Sequence, residues 1–100
     1  MRIRRKKHLD ERLENVKDVL IVPERDIVNV KLAIENKKFY DFNDIFNNNN
    51  PIELEIGCGK GGFITQMAEQ NRNVNFIAVE MLENIIVMAC ELAKNKQLTN

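Results

Sequence analysis

Residues 55 to 62 read Glu-Ile-Gly-Cys-Gly-Lys-Gly-Gly, and a further carboxylate, Glu80, stands 23 residues after Gly57. Glycine permits positive φ and lets a ligand reach the backbone with no Cβ in the way. A helix beginning behind such a turn offers N–H groups without partners and about half a positive charge. A turn of this kind is suited to hold a ligand; the alternative is a merely tight connection between two elements. Gly57, Gly59 and Gly62 also satisfy the dinucleotide spacing G-x-G-x-x-G. A phosphate-binding P-loop is excluded, because Lys60 precedes Gly61 rather than Ser or Thr and Leu54 occupies the position where the pattern needs glycine.

Glu55 discriminates between the remaining ligands. It lies two positions before the first glycine, at a strand end, where its side chain is expected to look toward the bound molecule. A carboxylate there repels a pyrophosphate and attracts an ammonium. S-adenosylmethionine carries an ammonium, a sulfonium and no phosphate, and the helix N-terminus can receive its carboxylate. Glu80, at the end of a second strand, is placed to accept hydrogen bonds from both ribose hydroxyls. The expected cofactor residues are therefore Glu55, Gly57, Gly59, Gly61 and Glu80. Cys58 and Cys90 lack an activating neighbour in sequence and form no C-x-x-C pair, so both are expected as reduced thiols. His8 has no His or Cys nearby, and no metal site is expected.

These residues need elements to position them. Ile52–Ile56 alternates as a short strand, and Phe63, Ile64, Met67 and Ala68 mark one face of a helix ending near Asn71 to Asn73. Val74–Val79 reads as a second strand, apolar enough to be covered on both faces. Leu82, Ile85, Ile86, Ala89, Leu92 and Ala93 stripe a second helix that fades at Lys94 to Lys96. Strand, glycine turn, helix, strand, helix is the opening of an α/β domain with a parallel sheet and right-handed crossovers. The expected fold is α/β, an incomplete Rossmann-like S-adenosylmethionine-binding domain with a parallel sheet, preceded by a basic N-terminal extension.

The first half is less regular. Leu9, Leu13, Val16 and Leu20 suggest a short amphipathic helix that Pro23 stops. Val28, Val30, Leu32 and Ile34 alternate with other residues as a strand or extended segment does. Phe39, Tyr40, Phe42, Ile45 and Phe46 are expected to cap the domain behind them. Asn47 to Pro51 is a loop. This divides the chain into residues 1–50, a basic arm and cap, and 51–100, the first two strand-helix units.

The 100 residues suffice for one small domain, and 44% hydrophobic with 30% charged residues is ordinary globular composition. The longest apolar run, Ile85 to Cys90, is far short of the ~20 residues that span a bilayer. Acidic residues follow the basic opening where a signal peptide needs an apolar region, so a cytoplasmic protein is expected. Lys plus Arg and Asp plus Glu are 15 each, for a net charge of zero. Positive charge is nevertheless concentrated at Arg2, Arg4, Arg5, Lys6 and Lys7, a local basic arm that is either simply solvated or a binding site for an anionic partner such as RNA.

Pro51-Ile52-Glu53-Leu54-Glu55-Ile56-Gly57-Cys58-Gly59-Lys60-Gly61-Gly62-Phe63, followed by Asn75-Phe76-Ile77-Ala78-Val79-Glu80, resembles the bacterial tRNA (guanine-N7-)-methyltransferase family. The approach from Phe39 to Asn50 and the basic start Arg2-Ile3-Arg4-Arg5-Lys6 are similar as well. Between about Leu13 and Lys37 the likeness is poor, and Lys7-His8 stands where the family commonly has Pro-Trp. The resemblance implies methyl transfer from S-adenosylmethionine to N7 of a guanine in the tRNA variable loop. It also implies that the acidic catalytic residue and an Asp-Pro-Trp stretch lie later in such proteins. No catalytic residue is therefore expected here, and the piece alone is expected to be inactive. Two other readings stay open at this point: a NAD-dependent dehydrogenase, which Glu55 opposes, and a non-catalytic RNA-binding module.

Overall fold

The computed structural model describes residues 4–23, 30–35 and 39–100. Its elements run α1 (Leu9–Asn15), α2 (Val30–Glu35), α3 (Phe42–Phe46), β1 (Ile52–Ile56), α4 (Gly62–Gln70), β2 (Asn75–Val79) and α5 (Glu83–Asn95). β1 and β2 pair in parallel, from Ile52 beside Asn75 to Ile56 beside Val79. The strand, helix, strand, helix order of the second half is thus as expected. α4 ends where Asn71 turns its side chain back, Nδ2 donating to the Met67 carbonyl at 2.9 Å and so satisfying one of the helix's last acceptors.

α5 is the shared wall of the molecule. On one flank Val87 and Cys90 are buried with Leu9 and Val16 of the N-terminal segment, and Leu13 and Leu20 pack against that cluster. On another flank Ala89 is buried with Cys58 and Ile64, against which Phe76 and Ala78 of β2 pack. Helical periodicity explains the split, since 87 and 90 lie three apart while 89 is turned to the side. Arg12 of α1 reinforces the first contact with a two-pronged ion pair to Glu91, Nε donating to Oε2 at 2.9 Å and the terminal nitrogen to Oε1.

Two expectations about the sheet and the segment before it are corrected. β2 is covered on one face, the one carrying Phe76 and Ala78. The opposite face, on which Leu54 pairs with Ile77 and Ile56 with Val79, is open among the described residues: Ile52, Leu54, Ile56 and Val79 are all exposed. An apolar strand alone does not reveal which of its faces another element reaches. The expected strand around Val28 to Ile34 is helical over Val30–Glu35, with Val28 outside the described residues. Lys31, Leu32, Ala33 and Glu35 are good helix formers, and Lys31 and Glu35 stand 4.0 Å apart as an i,i+4 ion pair. Together these outweigh a brief alternation.

In the aromatic segment Phe39, Tyr40 and Ile45 are exposed, while Phe42 and Phe46 of α3 are half-buried. The loop behind it is fixed by a polar contact: Asn75 is fully buried at the start of β2, and its Nδ2 donates to Asn48 Oδ1 at 2.7 Å. The edge of β2 away from β1 is met by Asn100. The Phe76 amide donates to the Asn100 carbonyl at 2.6 Å, and Asn100 Nδ2 lies 3.0 Å from the carbonyls of Ala68, Asn71 and Val74.

Candidate functional site

The glycine turn is pinned across the end of the sheet. As β1 ends, the amides of Gly57 and Cys58 both donate to the Val79 carbonyl, at 2.7 and 3.1 Å. The turn therefore lies directly beside the last residue of β2, and Glu80 is the next residue along. Glu55 comes to the same end from the other strand, paired with Ala78 and half-buried. Both carboxylates are close enough to act on the thiol between the glycines: Cys58 is pushed up first by burial, then by Glu80 and Glu55. The five residues expected at the site are thus brought to one end of the sheet.

Gly57, Gly59 and Gly61 have φ of 79°, 58° and 85°, the left-handed region in which side chains are strained. Their surroundings differ. A Cβ built on Gly57 or Gly59 meets nothing within 4 Å, whereas one on Gly61 stands 2.8 Å from Ala89 Cβ. Gly61 is needed for packing, and Gly57 and Gly59 leave open space above the backbone. Gly61 is also the N-cap of α4 and gives that helix no side-chain cap. The Thr65 amide closes the first turn onto the Gly61 carbonyl at 3.0 Å, and the buried Thr65 hydroxyl donates to the same oxygen at 2.6 Å. Among the described residues no N-cap side chain takes up the N–H groups of the first turn.

Among the described residues the Glu55 carboxylate has no hydrogen-bond partner. Glu80 is half engaged, its Oε2 accepting from the Leu82 amide at 3.0 Å. Two carboxylates, an open glycine backbone and uncapped helix N–H groups suit a ligand with cationic and hydroxyl groups and a small anionic end. The Glu55 carboxylate beside the turn is repulsive to a pyrophosphate. Cys58 is buried and its raised thiol is a poor nucleophile. Among the described residues no group of His, Cys, Asp and Glu is arranged to hold a metal ion.

The basic arm lies outside this turn, at the start of α5. Arg2 is outside the described residues. Arg5 pairs with Asp10 and stands 3.8 Å from Glu83. Arg4 and Lys7 are exposed and Lys6 is half-buried. Sequence reasoning passed over Asn84, whose side chain bonds the arm's backbone on both sides of Arg5; a partner some 80 positions away leaves no local signal. It also passed over Thr65, whose place four residues after the N-cap glycine is a signal that such a hydroxyl can turn back to the helix start. No helix among the described residues is long and apolar enough to cross a membrane.

A family model described as "Putative methyltransferase" matches residues 49–100. Among curated proteins, the tRNA (guanine-N(7)-)-methyltransferase of Clostridium botulinum is 45% identical over 68 residues, covering 67% of this chain and 31% of the relative. That of Bacillus subtilis is 40% identical over 74 residues, covering 72% of this chain and 35% of the relative. A third, from Brevibacillus brevis, is 44% identical over 69 residues, covering 67% of this chain and 32% of the relative. The chain spans about a third of the length of the curated relatives it matches. The family match takes in half of the chain and the whole glycine turn: the chain belongs to this methyltransferase family.

Proposed function

We propose that the turn from Glu55 to Gly61, with Glu80, binds S-adenosylmethionine in a Rossmann-like domain serving methyl transfer to guanine N7 of tRNA. The observation that carries this reading is the pinning of Gly57 and Cys58 to the Val79 carbonyl, which places both carboxylates beside an open glycine backbone. Membership in a methyltransferase family supports the donor, and the names of the relatives support the acceptor.

The cofactor supplies an electrophilic methyl on a sulfonium. Glu55 would hold its ammonium, Glu80 its ribose hydroxyls, and the first N–H groups of α4 its carboxylate. Guanine N7 has an in-plane lone pair, so its in-line attack on the methyl requires positioning more than deprotonation. The purine gains positive charge as it is methylated, which a carboxylate near it stabilises. No residue of this chain is assigned that role.

A NAD-dependent dehydrogenase is disfavoured by Glu55, whose carboxylate near the end of β1 would repel a pyrophosphate at the glycine turn, whereas Glu80 suits the ribose of either cofactor. Equilibrium dialysis with labelled S-adenosylmethionine tests the reading. Uptake displaced by S-adenosylhomocysteine and untouched by NAD is expected, and displacement by NAD would contradict it.

A further inference from the structure

The basic arm is docked by one side chain. Asn84 Nδ2 donates to the Arg4 carbonyl at 3.0 Å, and the Lys6 amide donates to Asn84 Oδ1 at 2.9 Å. One amide thus bonds the backbone on either side of Arg5, as a neighbouring strand would. Arg5 itself is committed to Asp10 and Glu83. The arm is bounded at its other end as well, because Leu9 and Val16 are buried against Val87 and Cys90 of α5. Arg4 and Lys7 are exposed and have neither a side-chain hydrogen bond nor an ion pair among the described residues. The docking point lies in the first turn of α5, four positions after Glu80, whose carboxylate bonds the Leu82 amide just ahead of that turn.

We propose that Asn84 is a positioning residue for RNA: it docks the arm beside the Glu80 end of the sheet so that Arg4 and Lys7 face a phosphate backbone while Arg5 serves as an internal anchor. This rests on the tRNA reading above. An arm held in place loses less conformational freedom on binding than a free one. Losing the clasp therefore weakens binding without changing how many phosphates are contacted, whereas losing Arg4 and Lys7 changes that number.

The test titrates a tRNA transcript with the chain at several salt concentrations and measures S-adenosylhomocysteine affinity and Lys6 amide exchange in parallel. For Asn84→Ala the expected result is tRNA affinity about tenfold weaker at every salt, as loss of about 1.4 kcal/mol of preorganisation gives. The slope of log affinity against log salt and the cofactor affinity stay unchanged, and the Lys6 amide loses its protection. Asn84→Asp keeps the shape and the acceptor but cannot donate to Arg4, and shows the same effect in smaller measure should the alanine variant fold poorly. Arg4→Gln with Lys7→Gln lowers the slope by about 1.5. Unchanged tRNA affinity in both Asn84 variants, or a Lys6 amide unprotected in the unaltered chain, overturns the proposal. A chain that keeps Lys6 protected yet binds no tRNA overturns the substrate reading and with it the arm's role.

Discussion

Gly61 lies against Ala89 so closely that a Cβ on the glycine would stand 2.8 Å from the alanine's Cβ and 2.9 Å from its Cα. The contact joins the start of α4 to the middle of α5 and fixes the direction in which the first N–H groups of α4 point. Gly61→Ala meets both a backbone clash and a φ of 85°. It is expected to destabilise the chain by about 2–4 kcal/mol. Gly57→Ala, strained but unobstructed, is expected to cost only about 1 kcal/mol while abolishing cofactor uptake. Urea unfolding of the two variants checks the order, and equal losses would contradict the packing role given to Gly61.

Cys90 gives an alkaline limit. Burial is the first cause that raises its thiol, to about 11 from an ordinary 9.0. A raised folded value means that stability is fully present below the unfolded value and is lost as pH rises through the folded one. Unfolding free energy is expected to hold steady up to about pH 9 and to fall by on the order of 2 kcal/mol toward pH 11. Cys90→Ala lessens that decline at the cost of a small cavity, leaving the part that the likewise raised Cys58 contributes. Denaturant curves across this range would contradict the account if both proteins declined alike.

Arg12 and Glu91 give an acid limit. The hydrogen bond from Arg12 is the first cause that holds the Glu91 carboxyl below its ordinary 4.5. For a lowered folded value the contribution is present above 4.5 and is lost as pH falls through the folded value. The Glu91 and Arg12 side chains are 35% and 32% exposed, so the contribution is small and screened by salt. Glu91→Gln is expected to flatten the stability curve below pH 4.5. A curve as steep as that of the unaltered chain would show that the pair does not hold α1 to α5.

Substitution separates the hydrogen bond that Glu80 makes from the cofactor contact proposed for it. Its Oε2 accepts from the Leu82 amide at the start of α5, which a glutamine oxygen can also do. Glu80→Gln is therefore expected to leave thermal unfolding nearly unchanged while weakening cofactor binding about tenfold to a hundredfold, the worth of a charge-assisted hydrogen bond. A matching loss of stability would make Glu80 a helix-capping residue first.

The second half of the fold was legible because its signals are local. Ile52–Ile56 alternates, the glycines punctuate, and the stripe of Leu82, Ile85, Ile86, Ala89, Leu92 and Ala93 is helical, so β1, α4, β2 and α5 fall where the pattern puts them, although the buried face of α5 also takes Val87 and Cys90 from outside that stripe. Val30–Glu35 misled because six residues support an alternation and a helical turn about equally, and the helix propensity of Lys31, Leu32, Ala33 and Glu35 tips the balance, with a small addition from the exposed Lys31 and Glu35 pair. The open side of the sheet, with Leu54 and Ile56 exposed, depends on which elements reach it and not on the strands' composition. The meeting of Glu55, Glu80 and the glycines at one end of the sheet was readable from their spacing. Asn84 and Ala89 were not, because each is defined by a partner distant in sequence.

Calorimetric titration of S-adenosylhomocysteine into the chain and into Glu55→Ala measures whether the Glu55 carboxylate holds the cofactor at the glycine turn. Binding heat is expected in the unaltered chain, with a loss of about tenfold or more in affinity on removing the carboxylate and no heat with NAD. Heat with NAD, or equal affinity with and without Glu55, would contradict that role.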